Sequence, residues 1–303
     1  MLGLVTATIL GFFGTASWFF DLMANLRLQL AVLLGSVTVM ALIVRSWGIA
    51  AAALVAAAVN LGVVLPMMFP SPEPPVATGE TLDVTFFNTK IVADRAATID
   101  YLAGRNDDVV ILAVTPHDWI DGLEGAGTGL HPVAGRHVTP GLEITVLARD
   151  PATEVIVHRA SDYFRDWVVE ISTELDGEPV SILGAHAVSP MTPRRAQHRD
   201  LVLDWIGAWA DRRDAPVVVA GDLNATPWST NFQATLEQGE LTDSLETHGL
   251  QPSWPAGLGR LGIPIDHVLH SEELVVVDRQ LGPSFGSDHR MVHARITRRA
   301  PGE

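Results

Sequence analysis

Val217-Val218-Val219-Ala220-Gly221-Asp222-Leu223-Asn224-Ala225-Thr226-Pro227-Trp228-Ser229 is the stretch on which the reading of the fold turns. Its four leading small or β-branched apolar residues predict a buried strand, and Gly221 closes it. Asp222 and Asn224 stand two apart, a spacing that in extended backbone sends both side chains to the same side. A carboxylate and a carboxamide therefore project together from a strand end, where open α/β layers place their sites. An Asx-rich turn closed by Pro227 and Ser229 is the plainer alternative for the same residues.

Immediately upstream, residues 195–212 predict a helix. Val202, Trp205, Ile206 and Trp209 fall at i, i+3, i+4 and i+7 and form one apolar stripe. Further back, strands are expected at 82–88, ending in the polar Asn88, and at 109–114, 142–147, 154–158, 167–172 and 180–183, the last leading through Gly184 to His186. Residues 95–103 read as a helix stopped by Gly104. Beyond the central stretch, 263–269, 274–277 and 291–296 supply the last strands. Many strands with few helices between them predict an α+β layered sandwich, two sheets with helices outside.

The amino-terminal third is different. Hydrophobic residues make up 48% of the 303-residue chain, the mean hydropathy is +0.24, and the excess is concentrated at the front. Residues 2–20, 28–44 and 47–69 carry no charge. At 1.5 Å per residue each run crosses most or all of a hydrocarbon core about 30 Å thick. A signal peptide is disfavoured, because the first run lacks a basic start and a small-x-small cleavage site. Buried helices of a soluble domain are the other alternative. The expectation is three transmembrane helices in residues 1–69, a Pro-rich linker at 70–80, one globular domain at 81–298 and a short tail at 299–303. Asp21, Asn25 and Arg27 fall in the first loop and Arg45 in the second. With Arg45 inside, everything after residue 69 lies outside, which makes this a multi-pass protein of the cell membrane with an extracytoplasmic C-terminal domain. Asn60, within the third run, reads as a polar contact between helices.

Charge narrows the partners. Of 20 basic and 35 acidic residues, two Arg and one Asp lie in the first 70, leaving 18 basic and 34 acidic beyond. So acidic a domain repels a long polyanion, which disfavours a nucleic-acid groove. A site that collects divalent cations is compatible with it. The absence of cysteine excludes disulfides and thiolate ligands. No feature points to a protein partner.

Four polar clusters close strands or follow them: Asn88, His186, the Asp222/Asn224 pair, and Asp266-His267 together with Ser287-Asp288-His289. Each alone is ordinary as a cap, a turn or a packed histidine. All are strand-terminal in one domain, which argues against four accidents. Histidine, carboxylates and amides without thiols suit a hard cation such as Mg²⁺ or Mn²⁺ and oxygen-rich substrates such as phosphate esters.

Gly221-Asp222-Leu223-Asn224, Pro264-Ile265-Asp266-His267-Val268 and Gly286-Ser287-Asp288-His289-Arg290, in that order and with His186 ahead of them, resemble the C-terminal signatures of the endonuclease/exonuclease/phosphatase superfamily. The resemblance covers residues 82–296, and the apolar runs before it are similar to a membrane-anchored bacterial branch. It implies a DNase-I-like four-layer α/β sandwich with the site at one edge of two packed sheets. It further implies a metal-dependent phosphodiesterase or phosphatase, with an anchor that suggests a lipid-linked phosphate. By matching position, Asp222 would deprotonate or orient the attacking water and Asn224 would orient it and the phosphate. Asp266 would hold His289 in its charge state, and His289 with His186 would stabilise charge on the phosphoryl oxygens. Asn88 and Asp288 would support Mg²⁺ or Mn²⁺, acting as a Lewis acid.

One departure stands out. Ile111-Leu112-Ala113-Val114-Thr115-Pro116 matches the family's second strand, but Ala113 stands where the main metal-ligand glutamate is expected. Asp118 or Glu143 are candidates to replace it, although Glu143 should face away from whatever Leu142 and Ile144 pack on. Two functions follow: a working phosphoesterase, or a fold kept as a binding or scaffold domain after losing its metal chemistry.

Overall fold

The computed structural model describes residues 1–70, 79–90, 93–116, 119, 122–123, 127–135, 142–150, 153–162 and 166–300. Most of the expected Pro-rich linker, and Asp118, lie outside these residues.

The first uncharged run does not form one helix. α1 (Leu2–Leu10) is only nine residues long, and a 3-10 turn (Gly14–Ala16) then separates it from α2 (Trp18–Ala24). The turn has a packing cause: a Cβ at Gly14 would sit 2.6 Å from Oγ1 of Thr230, so the chain passes hard against the globular domain there. α3 (Arg27–Ile43) follows at a 68° bend from α2, and α4 (Trp47–Met68), three residues on, packs against it through Leu30, Leu34, Ala53 and Ala57. Among the described residues only α4 is long and apolar enough to cross a membrane alone, at about 33 Å. The bent α2–α3 pair passes the same test only if taken as one broken span. Asp21 and Arg27 are not loop charges but buried groups. Arg27 donates to the Thr8 carbonyl and to Oδ1 of Asn60, whose amide nitrogen donates to the Thr8 hydroxyl. Asn60 is thus the interhelical contact its sequence position suggests.

Among the described residues the globular part holds twelve strands in two six-stranded sheets. The first contains β1 (Leu82–Asn88), β2 (Val109–Ala113), β3 (His131–Ala134), β4 (Ile144–Ala148), β11 (Leu274–Leu281) and β12 (Val292–Arg298), in the order β11-β12-β1-β2-β4-β3. The second contains β5 (Glu154–Arg159), β6 (Trp167–Leu175), β7 (Glu178–His186), β8 (Val217–Asp222), β9 (Thr242–Asp243) and β10 (Asp266–His270), in the order β5-β6-β7-β8-β10-β9. Pairing is parallel in the centre, β1 with β2 and β7 with β8, and antiparallel around it.

Three apolar cores make four layers. Between the sheets lie Phe86, Ile111, Ile144, Val169, Ile182, Val218 and Ile296. Outside the second sheet, Leu183, Val217 and Val219 pack on α6 (Pro193–Ala210) and α7 (Thr230–Gly239) through Val202, Ile206, Trp209 and Phe232. Outside the first, Phe87, Val110 and Leu112 pack on α5 (Arg95–Ala103) through Ile99 and Leu102. The central strands are apolar on both faces because both faces are covered. Pro193 at the first turn and Thr192, whose hydroxyl accepts from the Arg195 N–H, start α6 ahead of its apolar stripe. The register decides where the site falls. Asn88 pairs with Ala113, His186 with Asp222, and Asp222 with Asp266, so four strands deliver their polar ends to one edge of the sandwich.

Candidate active site

β8 can approach β7 closely only because residue 221 is glycine: a Cβ there would collide with the backbone carbonyl of Ala185. Asp222 ends the strand, fully buried. Asn224 follows with φ +48°, a left-handed conformation that asparagine tolerates, and its N–H donates to Oδ1 of Asp222 at 3.0 Å. Its side-chain amide donates to the Ala187 carbonyl, 2.9 Å away. The other oxygen of Asp222 accepts from the Asn88 side-chain amide at 2.9 Å, while Oδ1 of Asn88 accepts from the Lys90 N–H. Asp222 is thereby clamped from two sheets.

His289 faces it, with Nε2 3.7 Å from Oδ2 of Asp222. Its Nδ1 lies 3.1 and 2.9 Å from the two oxygens of Asp266, itself fully buried. Burial disfavours charge on this imidazole, but the Asp266 and Asp222 carboxylates outweigh it and push its pKa up to about 9. Burial and the neighbouring Asp266 push the Asp222 carboxyl the same way, to about 7, against the pull of His289 and the Asn88 amide. A charged imidazole thus sits between Asp266 and a second carboxyl, Asp222, whose proton is exchangeable near neutral pH. His267, next to Asp266 on β10, points to the other face as a strand requires, and binds Asp243 at 2.9 Å and the Ala225 carbonyl. It takes no part in the site.

Around this relay lies a cavity of about 360 Å³, lined among others by Asn88, His186, Asp222, Asn224 and His289. Of the expected site residues, these five and the Asp266 behind His289 are brought together. His186 stands 3.9 Å from Asp222 by Nε2 and 3.7 Å from Glu143 by Nδ1. Asp288 lies at the edge, bound to Lys90 at 3.1 Å and to the Trp254 indole N–H at 3.0 Å. These hydrogen bonds and the His289 charge outweigh the burial that would raise its pKa and hold it below the usual carboxylate range.

Ala113 is fully buried in the apolar layer between the sheets. Glu143, one residue before the Ile144 that pairs with Ala113, lines the cavity beside His186. It precedes β4, where strand alternation no longer fixes its side, and its carboxylate lies 3.7 Å from Nδ1 of His186 of the other sheet. Val114, between Ala113 and the turn, has φ +56°, a costly conformation for a β-branched residue, and lines the same cavity. It is pinned by its N–H to the Glu143 carbonyl and by its carbonyl to the Thr89 hydroxyl.

The donor set fits a hard cation. Asp222, Asp266 and His289 gather their polar atoms within 4.8 Å of one another, but a charged imidazole offers no lone pair, so a cation here would take carboxylate and amide oxygens. Oδ1 of Asp288 is buried with no hydrogen-bond partner among the described residues, 3.9 Å from Nε2 of His289. A carboxylate oxygen left in that state is stabilised by a cation.

Three contributors to this region come from the N-terminal helices and carry no motif. Leu22 of α2 and Asn25, the residue that caps it, line the cavity. The Asn25 side-chain oxygen accepts from both the N–H and the hydroxyl of Thr226, just past Asn224. Asp21 pairs with Arg199 of α6 at 2.7 Å, both fully buried, and Arg199 also donates to the Asn224 carbonyl. The signal in the sequence was the presence of Asp21, Asn25 and Arg27 between apolar runs.

Residues 92–289 match the endonuclease/exonuclease/phosphatase family. No curated protein matches the chain in sequence. Among solved structures, the chain is similar to a humanized TDP2 of D. rerio at 15% identity and a TM-score of 0.57, over 72% of this chain and 99% of that one. It is also similar to an endonuclease/exonuclease/phosphatase from Beutenbergia cavernae, at 20% identity and 0.55, over 73% and 72%. A third, from Bacteroides vulgatus, gives 14% and 0.58, over 72% and 99%. At these identities the likeness to each structure is one of fold.

Proposed function

Because the chain belongs to the endonuclease/exonuclease/phosphatase family, we propose that it is a membrane-anchored, divalent-metal-dependent hydrolase of phosphoric esters, a phosphodiesterase or phosphatase. The observation that carries this reading is the Asp222–His289–Asp266 relay at the floor of a cavity. Asp222 accepts the proton of a water whose oxygen bonds to phosphorus as the ester P–O bond breaks. Asn224, held by Ala187, orients that water and the phosphate. His289, kept charged by Asp266, and His186 carry the negative charge that builds on the phosphoryl oxygens. Asn88, Asp288 and Glu143 would hold Mg²⁺ or Mn²⁺, which as a Lewis acid polarises the phosphoryl group. The globular domain, residues 81–298, is tethered by the apolar helices of residues 1–69, whose outer faces expose Val39, Met40, Ile43, Leu54 and Val55. An extracytoplasmic domain acting on a lipid-linked phosphate completes the reading. Reporter fusions after residue 69 test the orientation, and activity only in a cytoplasmic reporter would overturn it.

Two expected results follow from the geometry. The pH–rate profile is bell-shaped: Asp222 must lose its proton, so the rate rises through about pH 7, and His289 must keep its own, so it falls through about pH 9. Raising Mg²⁺ favours the ionised carboxylates and moves the acid limb to lower pH. A rate independent of pH between 6 and 10 would sink the assignment of both groups.

Glu143 supplies the carboxylate missing at Ala113. Glu143→Gln is expected to weaken Mg²⁺ binding in calorimetry by at least about tenfold and to raise the Mg²⁺ needed for half-maximal turnover of a chromogenic phosphodiester. The Ala113 replacement keeps a second reading in view, a scaffold or binding domain without catalysis. Neither Mg²⁺ binding nor turnover of a phosphodiester or phosphomonoester by the full chain would select that one.

A further inference from the structure

Beside the polar site residues, the cavity has an apolar share of wall made by Leu22, Val188, Met191, Trp254, Ile263 and Ile265. A phosphate group needs donors and a cation, and such a wall contributes nothing to holding it. The wall is also not incidental, since Leu22 belongs to α2, which is locked in place by Asp21 to Arg199 and by Asn25 to Thr226. At about 360 Å³ the cavity is near the lower end of small-molecule clefts, room for a phosphate and the first atoms of what it esterifies.

The surface beyond is apolar too. Met191 is 66% exposed, and on the turn between Trp254 and Ile263, Leu258 and Leu261 are 55% and 48% exposed. That turn abuts the helices: Gln29, in the first turn of α3, donates to the Leu261 carbonyl at 2.8 Å. One helical turn further, Val32 and Leu33 are themselves exposed. Apolar surface therefore runs from the cavity wall, through its rim, to the face of α3. Exposed large apolar groups gathered this way mark contact with a membrane or an apolar ligand.

We infer that the cavity binds an amphiphile, its phosphate beside His289, His186 and Asn224 and its alkyl or prenyl chain against Leu22 and Met191, leaving along α3 into the hydrocarbon layer. This rests on the hydrolase reading and the same site, and deepens it by placing the substrate's chain on named residues of the N-terminal helices and the cavity rim. The N-terminal helices are then part of the substrate pocket as well as its tether.

The test uses the full chain held in amphipol, free of lipid, at fixed Mg²⁺, with methylphosphonate and octylphosphonate as non-hydrolysable probes in calorimetry. Burying two or more methylenes makes octylphosphonate bind at least about tenfold tighter. Leu22→Asn and, on the exposed rim where folding is not at stake, Met191→Ser each reduce that ratio severalfold. Turnover of a chromogenic phosphodiester is read on the same preparations. Turnover without a chain-length preference overturns the amphiphile site and leaves the hydrolase. A preference that both substitutions reduce, without turnover, upholds the chain site and sinks the hydrolase. Equal affinities, or a preference that neither substitution touches, overturn the inference.

Discussion

Asp222→Asn lowers metal-dependent turnover by about 10²–10⁴-fold, the contribution of a positioned general base, while thermal stability is unchanged or higher. The two halves of that expectation have one cause. Asp222 is a fully buried carboxyl whose ionisation is opposed by burial and by Asp266. The fold carries that group at a cost in stability, and the neutral isostere relieves it. Asparagine's single carbonyl oxygen still accepts from the Asn224 N–H, while its NH2 group meets the Asn88 amide, which must turn its own oxygen toward it to keep the second bond. The substitution also removes one of the two carboxylates that raise His289. Any residual activity therefore shows its alkaline limb below pH 9. Kinetics and calorimetric melting on one preparation check both halves. Full activity in the variant would remove Asp222 from the chemistry, whereas lost activity with a collapsed melting transition would reassign it to structure.

Asp21→Ala is the second substitution with a large effect, about 3–5 kcal/mol of stability. It leaves the fully buried guanidinium of Arg199 without its 2.7 Å partner. Asp200 remains at 2.6 Å, which keeps the loss toward the lower end of that range. Asp21→Leu combined with Arg199→Met, which removes both charges, recovers most of the loss. Equilibrium unfolding followed by tryptophan fluorescence distinguishes the two variants. Equal stability of Asp21→Ala and the natural chain would mean that the N-terminal helices do not dock as described. Because Arg199 also holds the Asn224 carbonyl, and Asn25 holds Thr226 two residues on, Asp21→Ala further disturbs the backbone that presents Asn224. A fragment beginning at residue 79 would lack both anchors and the Leu22 wall. Its activity on any substrate underestimates that of the whole chain.

The strands and helices that the sequence announced are those whose pattern is local. The apolar runs at 109–114 and 217–220 and the stripe Val202, Ile206, Trp209 produced β2, β8 and α6 with boundaries within about two residues, as apolar periodicity determines which face is buried. β3 and the two-residue β9 were not legible, because short edge pairings draw their stability from the neighbouring strand rather than from their own residues. The site residues Asp222, Asn224, Asp266 and His289 were legible through three short motifs. Their roles depend on register, which pairs His186 with Asp222 and Asp222 with Asp266 across strands far apart in sequence.

The sequence by itself determined the sandwich, the apolar front and the set of polar strand ends, since composition and period two or 3.6 are properties of a stretch of chain. Only the tertiary structure decided what the apolar front is. Residues 2–20 break at Gly14 because Thr230 lies against it, and Asp21 and Asn25 are drawn out of a presumed loop by Arg199 and Thr226, some 180 to 200 residues away. It also turned Glu143 into the cavity where Ala113 leaves a carboxylate missing, an arrangement fixed by cross-strand pairing that no local pattern encodes. Long-range contacts of this kind are set by the packing of whole layers, and a buried polar group goes where the assembled fold offers it a partner.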